Sequence, residues 1–122
     1  MAEIAPLGLE KEMFLLGMLH DIGYLYQPQN HNIFGGNLLK EQGYKYWQEV
    51  YWHGVPDAEY ASAALDLLNS ADMQVNAYGE RVSYTERLED IGNRYGTDSS
   101  QYLLAKKMAE YLCAKGLKSL KE

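Results

Sequence analysis

Cysteine is almost absent from this chain. The chain also has no excess of basic residues and no long apolar run. Cys113 is the only cysteine, so a disulfide within the chain is excluded and a reducing compartment is favoured. The 11 basic residues are outnumbered by 17 acidic ones, for a net charge of −6, which argues against a surface for long DNA or RNA. No run of about 18 apolar residues and no basic-then-apolar N-terminal segment occurs, so neither a membrane span nor a signal peptide is predicted. We therefore expect a cytoplasmic protein with no membrane partner.

The overall composition is that of a globular protein. The chain has 122 residues, of which 47% are hydrophobic and 23% charged, and it contains no low-complexity segment and no internal repeat. A chain of this length is usual for one domain and too short for two domains with separate cores. We therefore predict a single domain over residues 1–122.

Apolar residues recur at intervals of three and four along most of the chain, which indicates helices. Asp57 is the predicted N-cap of the fourth helix, and Ser83 with Glu86 forms a capping box at the start of the fifth. A strand is the alternative interpretation of residues 44–53, which are rich in aromatics. The spacing predicts an all-α fold, a bundle of five to six helices. The predicted helices cover residues 9–21, 31–43, 44–53, 57–72, 83–96 and 98–116.

The three histidines of the chain all fall where predicted helices begin or end. They are His20, His31 and His53. Asp21 directly follows His20, and Asp72 lies near the end of the fourth predicted helix. Imidazole nitrogens and carboxylate oxygens together bind divalent transition metals, and a metal with open coordination positions activates water near neutral pH. This set therefore points to metal-dependent hydrolysis.

Each of these residues also has an ordinary explanation. A single histidine among apolar residues is more often a hydrogen-bonded side chain than a metal ligand, and Asp72 alone is an unremarkable residue for a helix end. Arg87 and Arg94 suit phosphate contacts in principle, but their spacing from nearby acidic residues predicts surface ion pairs instead. The metal hypothesis therefore rests on the whole set of residues and not on one of them.

The order of the residues resembles that of the HD-domain phosphohydrolase superfamily. The His20-Asp21 pair comes first and His31, His53 and Asp72 follow on successive helices. The resemblance covers about residues 13–73. Three segments carry it: Leu19-His20-Asp21-Ile22-Gly23 looks like the family's "LHDIG" motif, residues 31–39 look like its helix with a histidine, small residues, a glycine and two leucines, and Ser70-Ala71-Asp72 looks like its final "aD".

The resemblance implies an all-α fold with a metal site in the interior of the bundle. It implies hydrolysis of a phosphate ester, of a nucleotide or a related metabolite, with His20 and Asp21 as the catalytic pair. By the same resemblance His20, Asp21 and Asp72 hold one metal, His31 and His53 hold a second, and Asp21 bridges the two. One or two divalent ions are expected, and the ligand types do not choose among Mn, Fe, Ni, Co, Zn and Mg. The expected partner is a small phosphorylated molecule, and a homodimer is left open.

The chain departs from the family pattern at one position. Family members usually carry a further histidine upstream of the His-Asp pair, whereas residues 1–19 contain none. The departure motivates an alternative, a shortened and catalytically silent relative that uses the same helices to bind a nucleotide or a partner protein. A purely structural helical protein would require the ligand pattern to be a coincidence.

Overall fold

The computed structural model describes residues 10–21, 31–76 and 78–118. Within these residues it contains helices and no strand, which confirms the all-α prediction. The strand alternative for residues 44–53 is wrong, because most of that segment is helical. No helix in the described part is long and apolar enough to cross a membrane. The helices are α1 (Glu10–Leu19), α2 (His31–Glu41), α3 (Trp47–Trp52), α4 (Ala63–Asp72), α5 (Tyr84–Tyr95) and α6 (Ser100–Ala114).

The described residues divide into two compact units. The first contains α1, α2 and α3 together with Ala58–Leu68, and the second contains Val55–Asp57 and the described residues from Asn69 onward. Helix α4 contributes residues to both units. Each unit has a hydrophobic core of its own. That residues 1–122 form a single domain stays a prediction.

The core of the first unit takes one buried side chain from each of its four helical segments. These side chains are Leu16 of α1, Leu39 of α2, Val50 of α3 and Leu68 of α4. Burying a side chain of this size contributes roughly 1.5–3 kcal/mol. The apolar side chains of these helices therefore pack into one shared cluster. This cluster holds together the helices whose ends carry the histidines.

Helices α2 and α3 are in close contact at Gly36. A methyl group at this position would lie 2.5 Å from Cβ and 2.6 Å from Cα of Tyr51, so only glycine fits without moving the neighbouring helix. One turn earlier on α2, Asn32 Nδ2 donates a hydrogen bond of 2.9 Å to the backbone oxygen of Tyr51. Two positions on one face of α2 thus hold the backbone of α3 at a single residue.

The start of α4 differs from the prediction. Asp57 is not its N-cap, because the helix begins six residues later, at Ala63. The hydroxyl of Ser62 accepts the hydrogen bond from Leu65 N instead, at 3.0 Å. The preceding segment is held away from a helix by Glu49, a buried carboxylate whose Oε2 accepts hydrogen bonds of 2.7 Å from both Tyr60 and Ser62.

The second unit confirms the predicted helix signals. The capping box is formed, with Glu86 N donating to Ser83 Oγ at 3.1 Å and Ser83 N donating to Glu86 Oε1 at 3.0 Å. The expected ion pairs are present as well, since Asp90 lies 3.2 Å from Arg94 Nε and 3.9 Å from a terminal nitrogen of Arg87. The core of this unit consists of Met73, Tyr84, Met108, Ala109 and Leu112.

Candidate metal site

Three helix termini of the first unit bring four of the predicted site residues together. His20 and Asp21 directly follow α1, His31 is the first residue of α2, and His53 directly follows α3. The core residues of the same helices fix where these termini lie. Residues that are far apart in the sequence therefore form one cluster.

The Asp21 carboxylate lies at the centre of this cluster. Its Oδ1 is 3.1 Å from His31 Nε2 and 3.4 Å from His53 Nε2, and its Oδ2 is 3.2 Å from His20 Nε2. The Nε2 atoms of His31 and His53 are 3.3 Å apart. The same nitrogen of all three imidazoles thus faces one carboxylate.

Backbone carbonyls define the protonation of two of these rings. His20 Nδ1 lies 2.6 Å from the oxygen of Gly17, and His53 Nδ1 lies 2.6 Å from the oxygen of Val50. A carbonyl oxygen only accepts hydrogen bonds, so each Nδ1 carries the proton, and in the neutral ring Nε2 carries the lone pair. Histidine ligands of metals are commonly oriented in this way, by a hydrogen bond from their other ring nitrogen.

The resulting arrangement requires positive charge between the groups. A carboxylate has only acceptor atoms, so the lone pairs of His20 and His53 would repel Asp21 unless a proton or a metal ion lies between them. If both rings were protonated, two imidazolium groups with centroids 5.1 Å apart would repel each other by about 3 kcal/mol at an effective dielectric constant of about 20. A divalent cation held by Asp21 with His20 and His53 would supply this positive charge without that repulsion.

The donor set fits a divalent transition metal. One ligand atom each from His20, Asp21 and His53 lie within 4.8 Å of one another, and imidazole with carboxylate suits such metals. These three residues could therefore hold a metal ion. His31 adjoins this group, because its Nε2 contacts both Asp21 and His53, and its role as a ligand stays a prediction.

The pKa of the Asp21 carboxyl lies well below its usual range. Burial by itself raises this pKa, but His20 and His53 in their protonated form lower it by more, through hydrogen bonds and positive charge, and a metal cation in place of those protons would act in the same direction. Asp21 therefore stays ionised, as a metal ligand must be.

The cluster is closed on one side and open on the other. The side chain of His53 is only 4% exposed, whereas that of Asp21 is 53% exposed, with His20 and His31 between these values. A fixed inner ligand and an accessible carboxylate are what a site needs if it is to admit water and a small substrate.

Asp72, the fifth predicted ligand, is the last residue of α4 and is half-buried. It belongs to the second compact unit, whereas the three histidines and Asp21 belong to the first. Its role as a metal ligand stays a prediction.

The sequence reasoning missed the groups that orient the ligands. The carbonyls of Gly17 and Val50 are among the last ones of α1 and α3, which have no partner within their own helix, and each lies three residues before a histidine. The spacing of three residues between each carbonyl and its histidine, at the end of a predicted helix, was the sequence signal for these hydrogen bonds. Asn32 and the buried Glu49 gave no comparable signal, since their partners come from other parts of the chain.

Comparisons with protein-family models, curated proteins and solved structures gave no match to this chain. The resemblance to the HD-domain superfamily therefore stays a prediction from short motifs, and the candidate metal site rests on the geometry of the cluster.

Proposed function

We propose that this protein is a metal-dependent phosphohydrolase of the HD-domain type, acting on a phosphate ester of a nucleotide or related metabolite. The observation that carries the metal part is the convergence of three imidazole Nε2 atoms on the Asp21 carboxylate. The phosphate-ester part is supported by the resemblance of the motifs around His20-Asp21, His31 and Asp72 to that superfamily.

In this proposal His20, Asp21, His31 and His53 hold one or two divalent ions. Asp21 has His20 at one oxygen and the other two histidines at the other oxygen, which suits a carboxylate that bridges two ions. A bound divalent metal would supply Lewis acidity, an activated water and positive charge for an anionic phosphate. His53 supplies a fixed, buried ligand, and the exposed Asp21 marks the side from which substrate enters.

The first test is the metal content of protein purified without chelator, measured by elemental analysis. We expect one or two transition-metal ions per chain, lost in His20→Ala, Asp21→Asn and His53→Ala. The matched control is Asp57→Asn, which removes an exposed carboxylate in the second unit and should retain the metal. Metal at the same level in Asp21→Asn would contradict the proposed site.

The second test is hydrolysis of a broad phosphoester panel by the metal-loaded protein. We expect release of phosphate or of a nucleoside product that disappears in His20→Ala. The activity is refuted if the metal-loaded wild type hydrolyses no ester in the panel and His20→Ala behaves identically.

A catalytically silent module that uses the same helices to bind a nucleotide or a partner protein is the competing function. A thermal shift with nucleotide that persists in Asp21→Ala, without any product, would support this module. Loss of both metal and thermal shift in that variant would support the enzyme.

A further inference from the structure

Asn32 makes the hydrogen bond that links the helix beginning at His31 to the helix ending before His53. Its Nδ2 donates to the backbone oxygen of Tyr51 at 2.9 Å, across 19 positions of the sequence. Asn32 is the direct neighbour of His31, and Tyr51 lies two residues before His53. The bond therefore connects the backbones that carry two of the proposed ligands.

The acceptor of this bond is a carbonyl that α3 itself leaves without a helical partner. Helix α3 has only six residues, and the last carbonyls of a helix must find their partners outside it. At this end, His53 Nδ1 donates a hydrogen bond to the backbone oxygen of Val50, and Asn32 Nδ2 donates one to the backbone oxygen of Tyr51. The C-terminal end of α3 is thus held by a proposed ligand and by Asn32 together.

We propose that Asn32 is a positioning residue for the metal site, acting through His31 and His53. The inference rests on the proposed metal binding. The hydrogen bond of Asn32 and the close contact at Gly36 both engage Tyr51, so they fix the distance of α2 from α3 and its position along α3. That placement holds His31 Nε2 3.3 Å from His53 Nε2. Without the Asn32 bond the end of α3 loses one of its contacts with α2, so His31 and His53 are held less firmly at the ion that they share.

The test uses Co²⁺ as the probe, because its visible absorption spectrum reports the number and geometry of ligands. Asn32→Ala removes the donor, and Asn32→Leu removes it while keeping a side chain of similar volume. We expect about tenfold weaker Co²⁺ binding, in the range of changes to groups that orient metal ligands, together with an altered spectrum.

Two controls separate positioning from general stability. Asn37→Ala changes an exposed residue of the same helix, and Tyr46→Phe removes another hydrogen bond of the first unit, to Glu12. Both should bind Co²⁺ with the affinity and spectrum of the wild type, even where the unfolding temperature falls. A weaker affinity in Tyr46→Phe equal to that in Asn32→Ala would reduce the role of Asn32 to stability and overturn the inference.

The outcomes also distinguish this inference from the proposed function. If the wild type binds Co²⁺ and either folded Asn32 variant matches it in affinity and spectrum, the inference fails while the metal site stands. If the wild type binds no metal, the site and the inference both fail. If the wild type binds Co²⁺ but hydrolyses nothing, only the activity fails, because the readouts for Asn32 do not depend on turnover.

Discussion

Tyr44 and Tyr46 lie two residues apart, and their hydroxyl groups have opposite surroundings. Tyr46 donates a hydrogen bond of 2.5 Å to Glu12 Oε2, whereas the buried hydroxyl of Tyr44 has no hydrogen-bond partner among the described residues. We expect Tyr46→Phe to lower the free energy of unfolding by about 1 kcal/mol, and Tyr44→Phe to leave it unchanged or raise it, because a buried hydroxyl without a partner is destabilising. Urea unfolding of both variants provides the measurement. A larger loss in Tyr44→Phe than in Tyr46→Phe would contradict this assignment.

The same two tyrosines predict a loss of stability at high pH. Burial, with the nearby Glu49 and Glu12, raises the pKa of Tyr44 to about 12, and the hydrogen bond to Glu12 raises the pKa of Tyr46 to about 12. In the unfolded chain both ionise near pH 10, so above that pH the unfolded state loses protons that the folded state keeps. The stabilisation is therefore complete below about pH 10 and is lost as the pH rises towards 12.

The measurement is the urea midpoint from pH 8 to pH 11.5. We expect a decline above pH 10 that is shallower in Tyr46→Phe, which has one group fewer to ionise in the unfolded state. Tyr95→Phe is the control, since it replaces an exposed tyrosine. A decline of unchanged slope in Tyr46→Phe would show that other groups cause it.

At the scale of the helices, Gly36 is a glycine whose neighbour leaves no room for a side chain. Alanine there would place its methyl group 2.5 Å from Tyr51 Cβ, and the nearby Tyr51 backbone cannot move without shifting α3. We expect Gly36→Ala to destabilise the protein by about 2–3 kcal/mol, although alanine favours a helix interior by about 1 kcal/mol over glycine. Asn37→Ala, at the exposed neighbouring position, should be neutral or stabilising in the same urea titration. Equal stability of the two variants would show that α2 and α3 are not held at Gly36.

Helix boundaries could be predicted where the signal is local, and could not where it depends on distant residues. Ser83 and Glu86 satisfy each other's backbone within one turn, so four letters of sequence were enough to predict the start of α5. The start of α4 depends on Glu49 of α3, whose carboxylate accepts hydrogen bonds from Tyr60 and Ser62. Glu49 lies 11 and 13 positions before the two residues that it contacts, so no local sequence pattern predicts these hydrogen bonds, and this is why Asp57 was wrongly predicted as the cap.

For the whole molecule, the same distinction separates the proposed metal ligands from the residues that support them. The histidines stand out because the chain has only three and all lie at predicted helix ends, and the resemblance of their order to the HD-domain pattern predicted that they share a site with Asp21. The contacts of Asn32 and Gly36 with Tyr51 join residues that only the packing of α2 on α3 brings together. The division into two compact units was not anticipated either, since length and composition carry no information about it.

Metal binding should stabilise the first unit measurably. Both tryptophans of the chain, Trp47 and Trp52, lie in α3 beside His53, so tryptophan fluorescence reports on the unit that holds the site. An ion that binds only the folded state at 100 times its Kd adds about 2.7 kcal/mol to the free energy of unfolding. We expect Co²⁺ to raise the urea midpoint of the wild type and of Asp57→Asn. We expect no such rise in Asp21→Asn, which lacks the carboxylate that the three imidazoles face. An equal rise in Asp21→Asn would mean that the stabilising ion binds away from Asp21, because the cluster's central ligand would then be dispensable.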